Sequence, residues 1–191
     1  MPSLSLHRWM TTRAAALDEI EAAHRVIGGT GRGRRYATLQ INYAYTILLS
    51  SHFQGYCRDL HSECANWFVD GITSPALRAS CRNAIVLNRK LDRGNPHPGH
   101  LGEDFKRFGV GFWDEVRTLD ARNRLCQNRL EELNHWRNAV AHQDFDPAKL
   151  GARPLHLGTI RRWRRVCDRL ATAFDEVMRR HLQRINAASP W

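Results

Sequence analysis

Three residues with complementary chemistry stand close together in the run Leu133-Asn134-His135-Trp136-Arg137-Asn138-Ala139-Val140-Ala141-His142. They are Arg137, Asn138 and His142. A guanidinium keeps its proton at physiological pH and offers parallel donors to a phosphate or carboxylate. An imidazole titrates near neutrality, so it can take or give a proton. A carboxamide orients either group through hydrogen bonds. Together a fixed positive charge and a titratable group near a helix end make a reasonable polar site, one that can hold an anion and move a proton. His135 and Asp144 are second-rank candidates, Asp144 as a group that orients an imidazole or Arg137.

These side chains need an element that presents them, and the spacing predicts a helix. With Cys126 at zero and about 100° per residue, Leu133 falls at about 340°, Val140 at about 320°, Trp136 at about 280°, Leu130 at about 40° and Ala141 at about 60°. Arg137 falls at about 20°, inside that apolar arc. An unpaired guanidinium there is costly, so Arg137 requires an anionic partner, a polar interface or a ligand. One solution is a carboxylate such as Glu63 or Asp70, with His142 merely closing the helix favourably through the dipole. Asn138, His142 and His135 share a different face. Arg137 and His142 are about 140° apart, so one regular helix does not aim both at one phosphate. Two such helices meeting about a two-fold axis would. The helix is expected to end just after His142, because Asp144 and Pro147 follow.

The chain has 191 residues, enough for one domain with a real core. Residues 1–10 and 186–191 read as loose ends of that domain. No apolar run approaches the ~18 residues of a membrane span, and the first ten residues lack a signal pattern, so no membrane partner and a cytoplasmic location are expected. The net charge is +10, and Lys90, Lys106 and Lys149 are the only lysines, so the excess is almost all arginine. That favours a polyanion such as nucleic acid as partner, although base composition of the gene also shifts lysine to arginine. Cys57, Cys64, Cys81, Cys126 and Cys167 form no CxxC pair, and an odd count does not suggest a disulfide framework.

In chain order, Thr11–Ile27 reads as a helix capped by Thr11 or Thr12, and Gly28–Arg35 as a basic linker in which Arg34 and Arg35 can touch phosphates. Tyr36–Asp70 reads as one long helix or two stacked pieces, with Gly55 as the bend. Within it, Cys57, His61 and Cys64 share a face, but no fourth metal ligand is in register; the better reading is a hydrogen-bonded core histidine. Neither metal nor cofactor is implied. Ser74–Leu91 is a helix capped by Ser74 with Pro75 at its first position. Asp92–Gly102 reads as loop, with His97 and His100 exposed in it. Glu103–Val110 and Gly111–Leu119 read as short helices, Ala121–His142 as the helix described above, Phe145–Leu157 as a connector. Thr159–Ile185 reads as the last helix, with Ile160, Trp163, Val166, Leu170, Phe174 and Val177 as its stripe. Arg161, Arg162, Arg164 and Arg165 crowd its start as candidate RNA contacts. No strand-like alternation or internal repeat occurs. The fold class is all-α, a bundle of four to five main helices with one long helix and short accessory ones.

The run Arg137-Asn138-Ala139-Val140-Ala141-His142 resembles the motif of the HEPN superfamily: an arginine, a polar residue next, and a histidine after four to six intervening residues. Tyr36–Trp67 looks like the long helix of the RiboL-PSP subgroup, and Trp136–Asp144 (WRNAVAHQD) like its motif helix. The resemblance implies one HEPN-like domain that homodimerises, with paired Arg137 and His142 in one composite cleft. It implies a metal-independent endoribonuclease cleaving single-stranded RNA, of a kind found in toxin–antitoxin and phage-defence systems, with an antitoxin protein as a further partner. A non-catalytic RNA-binding or protein-interaction module is the alternative.

Overall fold

A computed structural model describes residues 1–28, 35–151, 154–186 and 188–191, with Arg35 and Tyr36 described by backbone alone. The helices are α1 (Leu4–Arg8), α2 (Ala14–Gly28), α3 (Arg35–Phe68), α4 (Pro75–Val86), α5 (Pro98–Lys106), α6 (Phe112–Leu119), α7 (Asn123–His142), α8 (Pro147–Leu150) and α9 (Leu157–Asn186). A π-helical turn, Trp9–Arg13, joins α1 to α2, and a 3-10 turn, Lys90–Asp92, precedes α5. No strand occurs among the described residues, so the all-α expectation holds.

The bundle is organised on α3, which packs against α2, α4, α7 and α9. At 34 residues it runs about 50 Å without a break. A helix enclosed by neighbours buries more than one face. Accordingly Tyr45, Leu49, Phe53, Tyr56, Cys57, Leu60, Cys64 and Ala65 are all solvent-free. Gly55 is not a bend. A Cβ there would lie 2.5 Å from Arg13 Nη1, so the glycine makes room for that guanidinium, which pairs with Asp59 at 2.7 Å. His61 is buried as a core histidine, its Nε2 3.1 Å from the Asp104 carbonyl oxygen and its Nδ1 3.4 Å from Arg89. Burial and the neighbouring Arg89 push its pKa down to about 4. Among the described residues no group of three or more His, Cys, Asp or Glu is arranged to hold a metal ion.

The N-terminal ten residues are not loose. Ser3 caps α1, and the backbone N–H groups of Leu4 and Ser5 donate to the Glu63 carboxylate at 2.9 and 3.0 Å. Trp9 is 1% exposed and donates to Asp168 at 3.0 Å. Buried indole and carboxylate anchors outweigh the absence of a local cap at Thr11 or Thr12. At the other end Trp191 donates from Nε1 to Asp175 at 3.2 Å. Of the predicted linker Gly28–Arg35, Gly28 ends α2 and Arg35 begins α3, and residues 29–34 lie outside the described residues. The Asp92–Gly102 loop is also shorter than expected. Pro98 occupies the first turn of α5, where a missing N–H costs nothing, and His97 Nδ1 accepts from Gly99 N at 3.1 Å. No described helix is long and apolar enough to cross a membrane.

Candidate functional site

The motif helix α7 packs first on one face and then on another. Cys126, Leu130, Leu133 and Asn134 are buried in its first part, and Trp136, Ala139 and Val140 in its last turns. On a wheel the buried arc moves from about 20° to about 270°, so Arg137 and Ala141 leave it. Arg137 is therefore only partly buried and Ala141 is exposed, contrary to a fixed apolar arc. Neither expected carboxylate reaches Arg137. Glu63 is taken by the N-terminal segment, and among the described residues the only Arg137 hydrogen bond is to Asn138 Oδ1 at 3.2 Å. No carboxylate pairs with Arg137 among the described residues.

The helix stops where expected, by a device the sequence does not advertise. Gln143 takes the left-handed conformation at φ 55°, and the Asp144 N–H returns to the Ala139 carbonyl at 3.0 Å. Gln143 Nε2 donates to the Val140 carbonyl at 2.7 Å. The chain then turns back onto α3, where Phe145 stacks on Tyr43 with ring centroids 5.2 Å apart. Asp146 caps α8 through Ala148 N at 2.9 Å.

This return path makes a cleft of about 320 Å³ beside α7. His135, Asn138, Ala139 and His142 line it from the helix, and Asp144, Asp146, Lys149 and Leu150 from the far side. His135 and His142 are exposed, and neither makes a hydrogen bond or ion pair among the described residues. Asp144 shares this cleft with His142 but not with Arg137, which narrows the two roles considered for it.

Arg137 opens into a second cleft of about 380 Å³, lined also by Gln54, Asp92, Arg93, Gly94, Asn95, His100 and Asn138. Asn138 forms the ridge between the two. Its Oδ1 accepts from Arg137 and, in a very short contact, from Asn95 Nδ2. One copy of the chain thus brings Arg137 together with Asn138, and His142 together with His135 and Asp144, but keeps Arg137 and His142 on opposite sides.

The arginines of α9 divide. Arg161 pairs with Glu21 at 2.7 Å, and Arg164 with Asp18 at 2.6 Å, so both clamp α9 to α2 and are not free RNA contacts. Burial raises the Glu21 pKa, but hydrogen bonds from Arg161 and Arg25 outweigh it and hold the carboxyl below its usual value. Arg162 and Arg165 remain exposed, Arg162 donating to Thr159 Oγ1 at 3.2 Å. Arg34 and the Arg35 side chain lie outside the described residues.

Asn95, Arg93, Gln54, His100 and Asn134 are absent from the sequence-derived site. Asn95 reaches Asn138 of α7, Asn134 of α7 reaches back to Pro96, and Gln54, Arg93 and His100 share the second cleft with Arg137, all across tens of residues; the only local signal is the turn-forming Gly94-Asn95-Pro96.

An all-helical bundle with Arg-Asn-x-x-x-His exposed at the end of its penultimate long helix has the architecture of an HEPN domain. The chain belongs to the RiboL-PSP-HEPN family, which matches residues 13–179, from before α2 to most of the way along α9. No curated protein matches the chain, and no solved structure does.

Proposed function

We propose that this protein is a metal-independent endoribonuclease that cleaves single-stranded RNA at a site composed by two copies of the chain. The observation that carries the reading is Arg137: a guanidinium with no carboxylate partner among the described residues, lining a cleft beside Asn138, five residues before an exposed His142. The separation of Arg137 from His142 within one copy favours a composite site. Two α7 ends related by a two-fold axis would supply both cation and proton carrier to one phosphate.

In the proposed reaction the substrate's 2′-oxygen attacks phosphorus and the bond to the 5′-oxygen breaks. One His142 takes the 2′-proton, and the second gives a proton to the departing 5′-oxygen. Arg137 stabilises the added charge on the phosphoryl oxygens with paired donors. Asn138 donates from its amide nitrogen, since its oxygen is already occupied. The products are a 2′,3′-cyclic phosphate and a 5′-hydroxyl. DNA lacks the nucleophile and is not cleaved. His135 and Asp144 tune His142 from the same cleft, and Arg162 and Arg165 add basic surface for RNA. Restraint of such an activity in a cell fits a toxin with a protein antitoxin, or a phage-defence effector.

The test is incubation of the purified protein with single-stranded RNA in chelator, with product ends identified by mass spectrometry. Cyclic phosphate ends that vanish in Arg137→Ala and His142→Ala proteins support the reading. RNA binding without cleavage by the wild type would instead identify the non-catalytic binding module.

A further inference from the structure

The second cleft has a wall that is built with unusual care. Three successive backbone carbonyls of the 94–96 segment are each held by a side chain from a different helix. Gly94 O accepts from Gln54 Nε2 of α3 at 2.6 Å, Asn95 O lies 3.0 Å from His100 Nδ1 of α5, and Pro96 O accepts from Asn134 Nδ2 of α7 at 3.1 Å. The turn before it is gripped as well, because the buried Asp104 carboxylate accepts from Lys90 N and Leu91 N, both at 2.9 Å. Gly94 is required by this packing, since a Cβ would stand 2.9 Å from His100 Cε1. A segment held at so many points presents its side chains at fixed positions.

Its charges are also sorted. Asp92 is the only carboxylate among the described residues lining the cleft, and it is answered twice, by Arg58 at 3.1 Å and by Arg89 at 3.1 Å. Arg93 is exposed, and among the described residues its only hydrogen bond is to the neutral Asn88 Oδ1 at 2.8 Å. Arg137 likewise has only a neutral partner among them. Two guanidiniums with no carboxylate partner among the described residues therefore line one cleft of about 380 Å³, large enough for a phosphate group. An anion entering a cleft lined by two such guanidiniums can take paired donors from each.

We propose that this cleft is a phosphate subsite in which Arg93 and Arg137 hold one backbone phosphate of single-stranded RNA. The proposal rests on the ribonuclease reading and extends it to a residue outside the motif. Arg93 is a binding residue here; the segment bearing Gly94, Asn95 and Pro96 positions it.

The test uses the intact protein and a short single-stranded RNA that is fully 2′-O-methylated, so the proposed reaction cannot consume it. Binding is followed by fluorescence anisotropy across a salt series. Arg93→Ala is expected to weaken binding several-fold and to reduce the slope of log affinity against log salt by about 0.7, the loss of one phosphate contact on a single strand. Arg137→Ala should do the same. Arg124→Ala, which removes an exposed arginine at the opposite end of α7, should leave the slope unchanged. If Arg93→Ala keeps wild-type affinity and slope while Arg137→Ala loses both, the subsite is refuted and the ribonuclease reading stands. If Arg93→Ala and Arg124→Ala weaken binding equally, the cleft is refuted in favour of diffuse charge. If Arg137→Ala binds and cleaves normally, the underlying reading fails.

Discussion

Replacing Arg137 by alanine separates a structural role from a chemical one. Its side chain is partly exposed, has no carboxylate partner among the described residues, and makes one hydrogen bond, at 3.2 Å to its neighbour Asn138. A substitution of that kind changes stability by no more than about 0.5 kcal/mol, or roughly 1–2 °C in Tm for a chain of this size. The chemical cost is different in scale. Removing the donor that stabilises charge on the reacting group lowers rate by about 10²–10³, equivalent to about 3–4 kcal/mol. Arg137→Lys keeps the charge but loses the paired donors, and is expected to recover only part of the rate. Differential scanning fluorimetry and single-turnover cleavage of end-labelled RNA measure both quantities on the same preparations. A fall in Tm beyond about 5 °C would mean that Arg137 holds the fold together, and an unchanged cleavage rate would mean that it has no part in the reaction.

Three further outcomes follow from the geometry. Heterodimers of one wild-type and one His142→Ala subunit, isolated with two tags, should retain little activity; half the wild-type rate would show each subunit cleaving alone. Because the folded pKa of His61 is about 4 against an ordinary 6.5, the unfolded chain binds the proton first as pH falls. Stability is thus full above pH 6.5 and declines towards pH 4 by up to about 3 kcal/mol. Urea midpoints of His61→Leu should lose that limb, and an unaltered pH slope would place its origin elsewhere. Glu21 has the depressed value of a paired carboxylate, so its contribution is present above its ordinary pKa of 4.5 and lost below it. Glu21→Gln should lower Tm at pH 7 by roughly 3–8 °C, with the gap closing as the pH falls below about 4; a constant gap would contradict the pairing.

Much of the fold is legible wherever local rules decide. Ser74 and Pro75 announce the start of α4, and the stripe from Ile160 to Val177 that defines α9 is buried except for the partly buried Val166. The motif helix, too, ends at the residue that the pattern indicates. What is illegible depends on partners distant in sequence. Arg161 and Arg164 look like free cations until Glu21 and Asp18, far back in the chain, come alongside. Trp9 looks like part of a loose end until Asp168 receives its indole N–H. Arg137 looks buried because a wheel assumes one packing face, whereas α7 meets different neighbours along its length. Asn95 carries no pattern at all; its place against Asn138 is set by three helices converging on one short segment.

The wiring of Asn138 makes the charge of this corner depend on one carboxamide. Its oxygen already receives donors from both Arg137 and Asn95. A carboxylate of the same shape would accept from both donors and neutralise the adjacent guanidinium as a salt bridge does. What keeps Arg137 available as a cation is thus a single neutral neighbour, and Asn138→Asp would silence it without removing it.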